Sequence, residues 1–293
     1  MKSVVFGGAG FVGSHVADAL SDAGHVVTIF DQTQSRYLRE DQSFFQGDIL
    51  DPVAVGKCVQ NAEYVYNLAG IADLDDAGTV PIETVRQNVL GNAIILDCCV
   101  KASVLRYVYA STIYVYSEKG GFYRCSKQAC EAYIEEFQRK FGLEFTILRY
   151  GTLYGPRSNE KNSIYRYLRQ ALFEGKIVVA TNGIARREYI HVRDAARLSV
   201  DILNDKYSNS HVTLTGHQSI YFKDLLNMIK EILNGEVEIL EPEEQMPNGN
   251  HYEMTPYSYL PKKGYKLASN LFIDLGQGLL EMLDEIDSNK DKK

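Results

Sequence analysis

Residues 3–15 read SVVFGGAGFVGSH: a short β-branched and aromatic run, glycines at Gly7, Gly10 and Gly13, and then the opening of a helical pattern. This strand, turn and helix order gives the glycine spacing a physical use. A tight turn, a backbone that approaches a pyrophosphate with no Cβ in the way, and close packing of helix on strand all call for glycine. The free N–H groups at the helix start, at Phe11, Val12 and Gly13, then seat the anion. The spacing GxxGxxG differs by one residue from the GxGxxG version, and Gly8 adds a further small residue. Asp31 ends the next β-rich run about 20 residues on, where a carboxylate hydrogen-bonds the adenosine ribose and repels the extra phosphate of NADP. A loop cap is the plainer alternative for Asp31. NAD is the cofactor this pattern predicts, although Arg36 and Arg39 follow closely and offer cations to a 2′-phosphate.

Outward from this turn, β-rich runs at 3–6, 26–30, 43–45, 64–69, 106–110 and 144–148 alternate with helical patterns at 12–23, 52–60, 83–102 and 122–141. That order predicts an α/β fold, a Rossmann-type doubly wound parallel sheet covered by helices. Gly24 and Gly142 stand where a left-handed helix end favours glycine. After Arg149 the alternation loosens into a helix over 163–174, short strands over 177–180 and 189–192, and helices over 222–233 and 271–286. The expected organisation is an NAD-binding domain over 1–160 with a returning segment near 187–210, then a smaller substrate-binding region over 161–293. Residues 287–293 read as a polar tail.

Tyr123 and Lys127 form YxxxK at the start of a helical pattern, which sets phenol and ammonium one turn apart on one face. A positive charge near a phenol favours the phenolate and makes tyrosine usable as a base near neutral pH. A solvated helix face is the competing reading, and Tyr259 with Lys263 repeats the spacing. Pro261 breaks any helix there, so those two side chains need not converge. Context separates the pairs. The run at 106–110 leads into Ser111 and Thr112, hydroxyls at the carboxyl end of a parallel strand, where open sheets bind their ligands.

From GGAGFVGSH to REYIHVRD at 187–194, about two thirds of its length, the chain resembles the extended short-chain dehydrogenase/reductase family, in particular its nucleotide-sugar epimerase/dehydratase group. The resemblance implies that Asp48 and Ile49 in GDILD meet the adenine, that Asn67, Leu68 and Ala69 line the cofactor, and that Asn88 in QNVLGN orders the site. The family's catalytic hydroxyl, counted back four residues from Tyr116, falls on Thr112. Thr112, Tyr123 and Lys127 are then the catalytic residues, the last two also touching NAD. Substrate falls to Thr112, Thr152, Arg157 in LRYGTLYGPR, and Arg187. Each has a plainer structural reading too: a turn residue for Asp48, a strand-end cap for Asn67, a solvated basic pair for Arg186 and Arg187. His191 reads as a packed histidine.

The chain departs from the family at several points. Only six residues separate Tyr116 from Tyr123, where relatives carry a longer loop, so one wall of the sugar pocket is missing or rebuilt. Ser117 replaces a usual glycine, and Thr152 a frequent asparagine. Ile113 and Tyr114 follow Thr112 where dehydratases carry Asp-Glu and decarboxylases place an acid nearby, which disfavours both reactions. The resemblance therefore implies NAD-dependent epimerisation of a nucleoside-diphosphate sugar, most often at C4. A nucleotide-sugar 4-dehydrogenase or 4-keto reductase uses the same residues, and a noncatalytic NAD-binding protein the same fold. It also implies a homodimer formed through the helices at 83–102 and 122–141.

Composition bounds these readings. Hydrophobic residues at 45% and charged residues at 24% describe a globular chain with a sizeable core. A net charge of -7 argues against a nucleic-acid partner. Cys58, Cys98, Cys99, Cys125 and Cys130 contain no CxxC, so neither a metal site nor a disulfide framework is expected. No run reaches the roughly 20 apolar residues of a membrane span. The first apolar run is cut short at Gly7, which leaves no room for a signal peptide and makes the cytoplasm the expected compartment.

Overall fold

In the computed structural model, which describes residues 1–179, 185–240, 252 and 254–256, the glycine turn joins strand β1 (Lys2–Phe6) to helix α1 (Phe11–Asp22). The other strands of the main sheet are β2 (Val26–Asp31), β3 (Gln42–Gln46), β4 (Tyr64–Asn67), β5 (Arg106–Thr112), β6 (Glu144–Tyr150) and β10 (Ser210–Leu214). They lie in the order β10-β6-β5-β4-β1-β2-β3, and every neighbouring pair is parallel. The order reverses between β1 and β4, which opens a crevice at the carboxyl ends of those strands.

Strand alternation sends residues to both faces, so both must be covered. Val4, Phe6, Tyr107 and Tyr109 pack under α2 (Pro52–Val59), α5 (Gly91–Lys101) and α6 (Gly121–Phe141), against Val55, Ile95 and Ile134. Val5, Ile29 and Val108 face the other way, toward Val16 and Leu20 of α1 and Ala195 of α8 (Val192–Asp201). These side chains are almost wholly buried, and each large one contributes about 1.5–3 kcal/mol by leaving water.

The helix expected over 83–102 is three joined pieces: α4 (Pro81–Thr84), a π-helical turn (Val85–Leu90) and α5. The wider turn contains Asn88, whose side chain is drawn inward to other partners. Short α3 (Leu74–Thr79), absent from the sequence reading, precedes it. Val192, expected to end a strand, instead begins α8, because the His191 ring nitrogen Nδ1 accepts from the Arg193 N–H at 3.3 Å and caps the helix. His191 is thus a cap, packed on Tyr154 with ring centroids 5.3 Å apart.

A second, three-stranded sheet has the order β11-β9-β7, from β7 (Thr152–Tyr154), β9 (Arg186–His191) and β11 (Ser219–Tyr221). Beside it α7 (Ser163–Glu174), α9 (Phe222–Ile232) and the pair β8 (Lys176–Val178) and β12 (Glu238–Leu240) enclose a smaller core of Ala171, Ile177, Phe222, Leu226 and Ile229. The chain divides into two compact units, Met1–Tyr259 and Leu260–Lys293. The second unit lies outside the described residues, as do the expected helix over 271–286, the tail 287–293, the Tyr259 and Lys263 pair, and Ala180 of the expected strand over 177–180.

Candidate active site

Gly7 adopts φ +74°, and a Cβ there would stand 2.7 Å from the Ala69 nitrogen; at Gly13 a Cβ would stand 2.1 Å from the Gly7 carbonyl oxygen. Only glycine allows the turn and the helix to sit this close. Gly10 is the N-cap of α1, and no side chain caps that helix start, which leaves the N–H groups of its first turn, from Phe11 and Val12 onward, for an anion. The Asp31 carboxylate accepts from the Ala9 N–H at 3.0 Å and the Gln32 N–H at 2.8 Å, so it both pins the glycine turn and presents charge at the end of β2. Asp48 accepts from the Leu50 N–H at 2.9 Å and from the Gln32 side chain at 3.3 Å.

A cleft of about 470 Å³ is lined by Gly7, Gly10, Asp31, Ile49, Leu68 and Ala69 among others. Phe11, Val12, Gly13, Asp48, Tyr123 and Lys127 stand outside its lining, whereas Gln32, Gly70 and Ile71, which sequence reasoning missed, form part of it. The glycine cradle, the uncapped helix and the carboxylate fit a dinucleotide. Arg39 is held by Asp22 at 2.5 Å and Asp41 at 2.9 Å, and is not left for a 2′-phosphate. Arg36 lies over the Tyr37 ring, 5.0 Å from its centroid.

Thr112 ends β5, with 5% of its surface exposed, and accepts from the Tyr114 N–H at 3.2 Å. The Thr112 hydroxyl stands close enough to Tyr123 to pull its phenol pKa down, so the expected hydroxyl and phenol come together. Burial outweighs that pull and pushes the Tyr123 phenol up to about 12. Lys127 is buried, donates to the Ala110 carbonyl at 2.7 Å, and lies 4.6 Å from the Tyr109 ring centroid and 5.7 Å from that of Tyr123. Burial brings its ammonium down to about 8. Desolvation dominates both groups, and the Lys127 ammonium donates to a backbone carbonyl.

Asn88, in the π-helical turn, ties this machinery to the cleft. Its Oδ1 accepts from the Ile71 N–H at 2.7 Å, while its Nδ2 donates to the Ile71 carbonyl at 3.0 Å and to Ser126 Oγ at 2.9 Å. A buried ion pair, invisible to motif reading, braces the other side. Glu131, one turn beyond Lys127, meets Arg149 Nη2 at 2.6 Å and accepts from Ser111 Oγ at 2.5 Å, and Arg149 donates onward to the Tyr116 hydroxyl. Only the i+4 step from Lys127 hinted at Glu131. Ser117, where glycine was expected, has φ -110°, an extended backbone that needs none.

The expected substrate residues separate into two groups. Thr152 on β7 shares a 3.0 Å hydrogen bond with the Tyr252 hydroxyl, and the Arg187 guanidinium lies over the Tyr252 ring, 5.6 Å from its centroid. Arg187 Nε is buried with no hydrogen-bond partner among the described residues. Arg157 is instead taken up by Asp18 of α1 at 2.7 Å and by the Tyr37 ring at 4.5 Å. Among the described residues no group of acidic, histidine and cysteine side chains forms a metal site, and no helix is long and apolar enough to cross a membrane.

The model of the NAD dependent epimerase/dehydratase family matches residues 3–214. A UDP-N-acetyl-alpha-D-glucosaminuronate decarboxylase of Bacillus cytotoxicus is 26% identical, the match covering 82% of each chain. A dTDP-glucose 4,6-dehydratase of Streptomyces antibioticus is 24% identical over 99% of this chain and 93% of its own. Among solved structures, the UDP-glucose 4-epimerase of Thermotoga maritima with UDP-glucose superposes with a TM-score of 0.80 at 24% identity, covering 88% of this chain and 90% of that one. That last likeness is one of fold.

Proposed function

The chain belongs to the NAD dependent epimerase/dehydratase family, and from that premise we propose that it epimerises a nucleoside-diphosphate sugar, at C4, with NAD retained throughout. The observation that carries this reading is the grouping of the Thr112 hydroxyl, the Tyr123 phenol and Lys127, with Ile113 and Tyr114, and no carboxylate, in the two positions after Thr112. Elimination of water needs an acid for the leaving hydroxyl, and those two positions supply no carboxylic acid.

Gly7, Gly10 and the start of α1 (Phe11, Val12, Gly13) would hold the pyrophosphate of NAD, Asp31 its adenosine ribose, Asp48 and Ile49 the adenine end, and Leu68 and Ala69 the cleft wall. Bound NAD supplies a place where hydride from the sugar carbon is held and from which it returns. Tyr123, in its phenolate form, takes the proton of the C4 hydroxyl as the C4–H bond breaks, leaving a keto-sugar. Thr112 holds that oxygen in line. Lys127 binds the nicotinamide ribose and, once the phenol has lost its proton, stabilises the tyrosinate. The keto-sugar turns over, and Tyr123 gives the proton back to the oxygen as hydride arrives on the opposite face. Arg187, a planar donor without a carboxylate partner among the described residues, grips the diphosphate beside Thr152. Arg157 frames α1 rather than the substrate.

We further propose a cytoplasmic homodimer. Free cysteines suit a reducing compartment. Ile82, Val85 and Leu90 on the α4 and π-helical segment, with Phe122, Tyr133 and Phe141 on α6, are exposed apolar residues on the two helices expected to pair.

The test is incubation with UDP- and dTDP-sugars of gluco configuration, with the C4 configuration read by proton nuclear magnetic resonance. Interconversion of gluco and galacto forms is expected. Loss of water or carbon dioxide from the sugar would assign the site to the family's other reactions.

A further inference from the structure

Tyr252 belongs to none of the catalytic or cofactor motifs, within a segment over 248–263 that reads from sequence as a substrate-region loop or edge element, and it touches three residues of the substrate side. Its hydroxyl bonds Thr152 at 3.0 Å, its ring lies 4.7 Å from that of Tyr114, and the Arg187 guanidinium sits over it at 5.6 Å. Tyr114 in turn meets the Tyr123 ring edge-on, with centroids 6.5 Å apart. Tyr252 is only 6% exposed, so it is built into the wall rather than laid on it. Its segment is anchored on β9: Met254 bridges Arg186, and Thr255 Oγ1 accepts from the Glu188 N–H at 3.3 Å.

We propose that Tyr252 is a positioning residue that couples the arginine gripping the diphosphate to the aromatic wall beside Tyr123. This rests on the reading of Arg187 as the diphosphate grip. A guanidinium whose buried Nε has no partner among the described residues has its plane fixed by something other than a hydrogen bond there, and an aromatic face does so through the ring quadrupole. The same ring, tilted against Tyr114 at 53°, replaces the wall that the short 117–122 connection does not supply. Phosphate binding and the seating of the sugar next to the base thereby share one side chain. A misplaced sugar loses rate as well as affinity.

The experiment measures binding of UDP, UDP-glucose and dTDP-glucose to the NAD-loaded protein by calorimetry, for the unaltered chain, Tyr252→Leu, Tyr252→Phe, Arg187→Ala and the Tyr252→Leu/Arg187→Ala pair. Tyr252→Leu is expected to weaken the nucleotide sugars about tenfold while NAD retention stays unchanged. Tyr252→Phe, which keeps the ring and loses only the Thr152 bond, recovers most of that loss. In the Arg187→Ala background, Tyr252→Leu adds less than about twofold, the signature of two residues acting as one unit. If Arg187→Ala weakens binding but Tyr252→Leu does not, or if the two losses simply multiply, the coupling is overturned while the grip stands. If Arg187→Ala binds as tightly as the unaltered chain, or the unaltered chain binds none of the three, the grip itself fails and the proposal with it.

Discussion

At the residue scale the site is governed by desolvation. Tyr123 stands near 12 and Lys127 near 8, both moved toward neutrality by burial. Removing the phenol hydroxyl in Tyr123→Phe is expected to lower kcat by about a hundredfold or more while KM changes little, as steady-state assays would show. A KM change alone would make Tyr123 a binding group. Lys127 carries a pH signature of its own. Its folded pKa lies below that of an unfolded lysine, so between about pH 8 and pH 10 the unfolded chain binds more protons and stability rises with pH. Below pH 8 both states hold the proton, and the burial penalty is fully present. The melting temperature of the cofactor-free chain relative to Lys127→Met should therefore climb across that window. The comparison with the variant matters because Cys58, Cys99 and Cys130, held up by burial, push the opposite way as unfolded thiols ionise. A flat difference would mean that Lys127 is solvated.

At the element scale α6 is the organising piece. Tyr123, Lys127 and Glu131 recur every four residues, so one helix face carries the proposed base, its ammonium and the carboxylate that ties the helix to Arg149 of β6. Glu131→Gln leaves the buried guanidinium without its counter-charge and is expected to cost on the order of 3 kcal/mol in urea unfolding; a change below about 1 kcal/mol would show the pair to be solvated. Asn88→Ala removes the clamp on residue 71, and faster release of bound NAD is the expected result. The sequence displayed the helix and its YxxxK because hydrophobic periodicity and spacing are local. It did not display the π-helical turn, the Glu131 and Arg149 pair, or α8 beginning at Val192. Each of these depends on where distant side chains find partners.

At the scale of the whole molecule, the glycine turn and the strand and helix alternation were enough to predict the parallel sheet, because each strand must be apolar on both faces and each crossover must be a helix. Strands β7, β10, β11 and β12 escaped, being three to five residues long and defined by their neighbours rather than by any pattern of their own. The residues proposed for the cofactor were legible as a set because one turn and two strand ends carry most of them. The substrate side was less so: Tyr252 reaches Thr152 across a hundred residues of sequence. Assembly is testable at this scale as well. Val85→Asp with Phe122→Asp should convert a dimer to a monomer in sedimentation velocity; an unaltered chain that already sediments as a monomer would remove the interface.

The most direct measurement denatures the purified protein, identifies the dinucleotide it releases, and follows the native enzyme with UDP-glucose by NADH absorbance and product configuration together. Released NAD, with a C4-inverted product and no net NADH, is the predicted result. Accumulating NADH with a keto-sugar, or turnover only when a reductant is added, would contradict it and make the chain a net dehydrogenase or reductase.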